Sequence, residues 1–268
     1  MAAPAPRGCL VISFDLDPAA TAGGETIAHP GATRELVDLV ARHQISATWF
    51  SHQPWTCPTL SRVVDRQPRQ EIALAADPRW ASSHSDGETF RKALRARLDR
   101  ARAAGYSIAT LSLPAGNLAH HADTLRRAGI TALRTDGAEG AGRWSHSEFA
   151  CQGQGLARPV RFGLWEIGTS HRLPATGGWL ARWWSARRLD TALTALAEQG
   201  GLAHLVVAAH QLASGSSAWR LLVRTLERAQ RLADSGQIAI LGIGPALAQL
   251  STVRSGQPAR SILHRRAA

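Results

Sequence analysis

Short apolar runs and amphipathic helical stretches alternate along nearly the whole chain, and this alternation constrains the fold more than any other feature. The runs are CLVISFDLD (9–17), ISATWF (45–50), EIALA (71–75), SIATLSL (107–113), TALR (131–134), RFGLWEI (161–167), LAHLVVAA (202–209) and QIAIL (237–241). Between them, apolar residues recur every three or four positions. Examples are Leu36, Leu39 and Val40; Phe90, Leu94, Leu98 and Ala101; Leu189, Leu193 and Leu196; and Trp219, Leu222, Val223 and Leu226. Shorter helices are expected near 56–66, 119–128 and up to Leu250. Strand-to-strand spacings of roughly 25–45 residues are those of a parallel sheet with helical crossovers.

The expected fold is an α/β, distorted parallel (β/α) barrel of seven to eight strands. A closed barrel of this kind needs about 250 residues, and the chain has 268. An open doubly wound sheet is the alternative. It usually carries a Gly-rich phosphate loop after its first strand, where this chain has SFDLDP. The GIGP at 242–245 opens the last short helix, where it can meet an anion or simply start the helix. Residues 1–252 are expected to form a single domain and 253–268, with Arg254, Arg260, Arg265 and Arg266, a basic disordered tail. Residues 136–160 are Gly-rich and are expected to be loop.

Composition narrows the function classes. No apolar run approaches a membrane span, and the N-terminal MAAPAPRG enters the first strand without a signal-peptide pattern, so a cytoplasmic protein with no membrane partner is expected. Cys9, Cys57 and Cys151 make no zinc or CxxC pattern and are expected to be reduced thiols. The net charge of +11 is carried by arginine, with Lys92 the only lysine. These arginines are spread over amphipathic helices rather than gathered in a stripe, which argues against nucleic acid and leaves acidic glycans or a charged partner open.

The candidate site lies where strands end. CLVISFDLD runs from apolar residues into Asp15 and Asp17, two apart and therefore on one side of an extended chain. Such a pair can hold a cation or divide into base and electrostatic partner; the structural alternative is a turn cap and a solvated carboxylate. His210 ends the apolar strand at 202–209 on the same rim, with Asp77 and Glu166 as weaker rim candidates. His120 and His121 open a helix, where capping is the simple role. Trp49 and Trp165 lie within strands and are expected to be packed. Trp80, Trp179, Trp183 and Trp184 fall in expected loops, where aromatic faces can stack on sugar rings or anchor the next helix.

Five segments together resemble the polysaccharide deacetylase family. SFDLD is similar to its TFDDG strand end, ATWF at 47–50 to its ATFF, and EIAL at 71–74 to the EIG before its HxxxH. SLPAG at 112–116 sits where the family has RxPxG, and LVVAAH ends at His210 in place of the acid histidine. The resemblance implies hydrolysis of an N-acetyl group on a carbohydrate or an N-acetylated small molecule, through a metal, usually zinc, bound by one Asp and two His. It assigns Asp15 as base, His210 as acid and Asp17 as metal ligand and keeps the motif's Pro114 and Gly116, expected toward substrate, where Trp80 and Trp179 are the loop aromatics expected to join them. It also places Ala75 and Arg79 where the metal histidines belong, and Ser112 where an arginine orients the base. His84 is the replacement ligand to look for. The donor set then implies a weakly bound divalent metal, or a pseudoenzyme that binds a carbohydrate or protein partner in the barrel mouth.

Overall fold

A computed structural model describes residues 6–17, 30–66, 69–77, 80–81, 86–114, 118–136, 156–173 and 179–255. The first half of the chain contributes strands β1 (Gly8–Asp15), β2 (Thr48–Ser51), β3 (Glu71–Ala75), β4 (Thr110–Pro114) and β5 (Ala132–Asp136), separated by helices α1 (Pro30–Arg42), α2 (Pro58–Arg66), α3 (Gly87–Ala103) and α4 (Leu118–Arg127). Three short strands follow, β6 (Ala157–Pro159), β7 (Trp165–Ile167) and β8 (His171–Arg172). The chain closes with α5 (Trp179–Gln199), β9 (Gly201–Ala208), α6 (Ser217–Asp234), β10 (Ile238–Leu241) and α7 (Ile243–Ser255).

Nine strands of one curled sheet follow the order β6-β7-β5-β4-β3-β2-β1-β9-β8, and the tenth, β10, pairs with β1 off that path. β1 is its centre. It pairs with β9 over its whole length, while β10 takes its first half and β2 its second, all in parallel register. The chain leaving β7 reaches β8 within residues 168–170, and β8 pairs with β9 at the opposite end of the strand order. A single short crossing therefore joins the two margins of the sheet.

Two points of the expected architecture need correction. The strands number ten rather than seven or eight, because β6 and β8 are short additions to the eight expected runs. Nor is the sheet wholly parallel: β6 returns along β7 as an antiparallel hairpin, within the region expected to be loop. Further along, α5 begins at Trp179, so Trp183 and Trp184 sit on a helix instead of in a loop. α7 continues to Ser255, past the expected domain boundary, and the rest of the expected tail lies outside the described residues.

Period-two alternation sorts β1 into two layers. Leu10, Ile12 and Phe14 face outward into a core with Leu36 of α1, Leu193 of α5 and Leu222 of α6. Phe14 packs on Trp49, and both are fully buried; each such side chain stabilises the fold by about 1.5–3 kcal/mol. A second outer core joins Phe90 and Leu94 of α3 to Leu111, Leu125 and Leu133. Val11 belongs instead to an inner cluster with Phe50, Ala73, Ala132 and Ile167, closed from below by Ile243, Ala246 and Leu247 of α7.

The lower end is sealed by a carboxylate. Glu71, at the start of β3, accepts hydrogen bonds from Thr48 Oγ1 (2.7 Å), the Gly244 amide (2.9 Å) and the Thr110 hydroxyl, while Thr48 Oγ1 accepts from the Ile243 amide (2.8 Å). The anion at GIGP is thus the protein's own, held against the N-terminus of α7. A Cβ at Gly242 or Gly244 would lie 2.9 Å from a Glu71 oxygen, which explains why both positions are glycine.

Candidate functional site

Above the inner apolar layer, the barrel interior turns polar. Ser13 Oγ lies 2.9 Å from His204 Nε2, and His204 Nδ1 lies 2.7 Å from the Gly168 carbonyl. A carbonyl only accepts, so Nδ1 carries the proton in that contact. With the imidazole neutral, Nε2 accepts from the Ser13 hydroxyl, whose oxygen in turn accepts from Arg134 Nη1 at 3.3 Å. Arg134 also donates from Nη2 to Ser112 Oγ (3.2 Å), and its guanidinium lies 4.0 Å from the Phe50 ring centroid. Ser13, His204, Ser112 and Arg134 are all buried. The interior is thereby fixed across β1, β4, β5 and β9.

Arg134 supports Asp15. Its Nη1 donates to Asp15 Oδ1 at 2.6 Å, with side chains 3% and 15% exposed, and Arg172 Nη1 of β8 stands 3.9 Å from Oδ2. Ser112, which occupies the arginine position of the SLPAG motif, pairs in register with Arg134 on the neighbouring strand. The arginine missing from one strand is therefore supplied by the next, reaching over a small serine to the same carboxylate. His210 sits in a single 3-10 turn after β9, buried, with Nδ1 3.4 Å from the Asp15 carbonyl oxygen. Asp15 and His210, 195 positions apart, are brought together because β1 and β9 are paired along their whole length.

Asp17 has a different environment. Its Oδ2 accepts from Ser51 Oγ (2.7 Å) and from the His52 amide (2.5 Å), which ties the chain after β1 to the end of β2. His52 Nδ1 donates to the carbonyl of Ala75 (2.9 Å), leaving Nε2 as the nitrogen open to a ligand. At the position where the family motif has an imidazole, the chain thus offers a main-chain carbonyl that is already hydrogen-bonded. Among the described residues, no three His, Cys, Asp or Glu side chains are grouped to share a metal ion. The donors described do not fit the one-Asp, two-His zinc set that the resemblance implies.

The remaining candidates separate. Trp80 is 5% exposed and stacks on Phe90 beneath α3, with the Arg97 guanidinium 4.6 Å from its ring centroid. Burial there lowers the Arg97 pKa, and the indole is a core element. His121 is likewise buried, stacked on Phe90 at 4.1 Å. Glu166 is buried and accepts from Thr135 Oγ1 and Arg158 Nε, both at 2.6 Å, and its bond to Arg158 raises the pKa of that arginine. Pro114 ends β4 and Trp179 opens α5. His84, Gly116 and Arg79 lie outside the described residues.

Three residues of the mouth are not marked by any motif in the sequence: Arg134, Arg172 and His52. Arg134 carries a readable signal, since it shares inward parity with Ala132 on a buried strand, where an unpaired charge would be very costly. Arg172 belongs to a two-residue strand and His52 follows a strand end, so neither stands out by pattern. Beside Arg172, the His171 pKa is pushed down to about 4, by burial first and by the Arg188 charge second.

No family model matches the sequence, and no curated protein matches it. Solved structures do share its architecture. Puue allantoinase is 11% identical with a TM-score of 0.62, the match covering 92% of this chain and 91% of that one. The 4-alpha-glucanotransferase from Thermococcus litoralis is 12% identical with a TM-score of 0.53 over 91% of this chain, which spans only 40% of the glucanotransferase's length. The neighbours also include the peptidoglycan deacetylase PdaC from Bacillus subtilis, 13% identical over 93% of this chain and 94% of that one, at a TM-score of 0.42, too low for an argument. At these identities the likeness establishes a common barrel-like α/β fold and nothing about activity. Among the described residues, no helix is long and apolar enough to cross a membrane.

Proposed function

We propose that the barrel mouth binds an N-acetylated carbohydrate without hydrolysing it, as a pseudoenzyme on a deacetylase-like scaffold. The observation that carries this reading is the occupancy of both strand-end carboxylates. Asp15 faces two arginines, and Oδ2 of Asp17 accepts two hydrogen bonds that join β1 to β2. Neither is paired with the imidazoles that the family chemistry needs, and Ala75 supplies no side-chain ligand. What remains at the mouth is a polar surface of fixed geometry. His210 and His52 present ring nitrogens, Arg172 is half exposed, and Asp15 is oriented by Arg134. Such convergent polar groups orient a small ligand.

A second reading has its own support. Asp15 next to His210, with an arginine on the carboxylate, retains a base and an acid for amide hydrolysis, the step in which a base deprotonates water and an acid protonates the leaving amine. Acetate release separates the two. Purified protein is incubated with chito-oligosaccharides, with and without added zinc, cobalt or manganese. The binding reading expects no acetate above the protein-free control. Acetate release that disappears in both Asp15→Asn and His210→Ala would establish the hydrolase instead.

A further inference from the structure

We propose that β8 and the first turns of α5 form a subsite for an acidic sugar beside the barrel mouth. The inference rests on the carbohydrate reading of the mouth and names the class of glycan. Trp183 and Trp184 are two of the few large apolar side chains exposed among the described residues, at 45% and 55%. They contact each other edge to face, with ring centroids 5.2 Å apart. Among the described side chains of α5, from Trp183 onward, the first buried one is Leu189, and burial of the two indoles does not hold the turns before it.

Helix geometry places the pair at the mouth. Near its end, α5 meets the start of β1: the Leu196 carbonyl would lie 2.3 Å from a Cβ at Gly8, so the helix runs back antiparallel to the strand. Trp184 lies twelve residues before Leu196, about 18 Å along the helix axis. Asp15 lies seven residues beyond Gly8, about 23 Å along the strand. Trp184 therefore stands near the level of the strand ends. It shares a helix face with Arg188, four residues on, and Arg188 is close enough to His171 of β8 to depress its pKa. The next residue of β8 is Arg172, 3.9 Å from Asp15. His171 pairs in register with the outward-facing Leu205 and so faces the helix layer, while Arg172 faces the mouth; the two-residue strand β8 is all that separates Arg188 and the indoles from Asp15.

The charges beside the indoles select the ligand. Arg187 lies 5.0 Å from the Trp183 ring centroid, and among the described residues no carboxylate pairs with Arg187 or Arg188. An aromatic ledge flanked by two such guanidiniums suits a sugar ring that stacks on the indole and carries a carboxylate for the arginines. The overall charge of +11 favours the approach of a polyanion, which the two arginines then orient. An anionic bilayer offers the same charge, but it would insert the rings into lipid. Here one ring is covered by a cation, and the two indoles are flanked by arginines rather than continued along the helix as an apolar strip.

The test compares two oligosaccharides by calorimetric titration of the full chain. Hyaluronan hexasaccharide alternates N-acetylglucosamine with a carboxylate-bearing sugar, whereas chitohexaose is N-acetylated and neutral. Hyaluronan is expected to bind about tenfold more tightly, a difference of about 1.4 kcal/mol, and to lose that advantage at high salt. Trp184→Ala is expected to weaken hyaluronan about tenfold, and Arg188→Gln to bring the two ligands within about threefold of each other. Phe162→Asn, an exposed aromatic ahead of β7 at the opposite end of the barrel, is the control and leaves both affinities unchanged. Equal affinities, or hyaluronan binding unmoved by both variants, overturn the subsite. Chitohexaose binding that is lost in Asp15→Asn would still uphold the mouth reading. Absence of binding by either ligand overturns both. Co-sedimentation with phosphatidylglycerol vesicles that requires Trp183 and Trp184, without hyaluronan binding, assigns the ledge to a membrane surface and overturns the subsite as well.

Discussion

Glu71 at the lower end of the barrel and Asp15 at its mouth are satisfied in opposite ways. Glu71 at the bottom accepts from two threonine hydroxyls and a helix N-terminal amide, all neutral donors built into the fold. Asp15 at the top is held by one buried guanidinium and faced by a second that is half exposed. A carboxylate whose oxygens are taken up by neutral donors of the fold beneath a helix N-terminus serves as a structural plug. A carboxylate held by charge at an open rim keeps polar neighbours that a ligand can reach. The lower end therefore stabilises the barrel, while the upper end both stabilises it and presents chemistry.

The largest expected effect comes from breaking the upper pair. Asp15→Ala leaves Arg134 almost fully buried without its carboxylate and should cost about 4 kcal/mol in urea unfolding. Replacing both partners, Asp15→Leu with Arg134→Met, should recover most of that loss. A single-variant cost below about 1 kcal/mol would mean that the pair is as weakly coupled as a surface salt bridge.

Acid comes next, also on the upper side. The His171 pKa is held down at about 4 in the folded chain against the ordinary imidazole value of 6.5, so between those values the unfolded chain binds more protons. Its contribution is intact above the upper value and is lost as pH falls through the window, at no more than about 1.4 kcal/mol per pH unit. A His171→Gln variant should flatten that part of the stability–pH curve. An unchanged slope would remove His171 as its source.

Glu71→Gln should cost about 2 kcal/mol, because the amide keeps one acceptor for the hydrogen bonds now made to a carboxylate. It should leave chito-oligosaccharide affinity unchanged, and any loss of binding would erase the distinction between the two ends. The smallest effect lies outside both. α1 closes with Gln44 at φ 50°, its amide bonded to the Ala41 carbonyl and the Ile45 amide to the Val40 carbonyl, the position where helices favour glycine. Gln44→Gly should raise stability by about 0.5–1 kcal/mol, read as a higher urea midpoint with binding unaltered.

The regular parts of this barrel are legible in the sequence because they are long or strictly alternating. β3 falls on 71–75 as its apolar run indicates, and β1 and β9 sit within two residues of their runs. The meeting of Asp15 with His210 follows from placing both at strand ends. β6 and β8, with three and two residues, are too short to show any period. The early part of α5 hides for a different reason: Trp183 and Trp184 are exposed, and among the described side chains of the helix the buried stripe starts at Leu189. Arg134 is the instructive omission. A motif places its arginine within one strand, whereas Asp15 needs only a guanidinium at the right place in space, and the parallel register between Ser112 and Arg134 supplies it from the adjacent strand.

The most direct test of the account is a calorimetric titration of chitohexaose against wild-type protein in excess chelator, repeated with Asp15→Asn. The account predicts binding by the wild type without metal, no acetate released in the cell, and loss of binding in the variant. Binding that appears only when zinc is restored, or acetate formed during the titration, would contradict it.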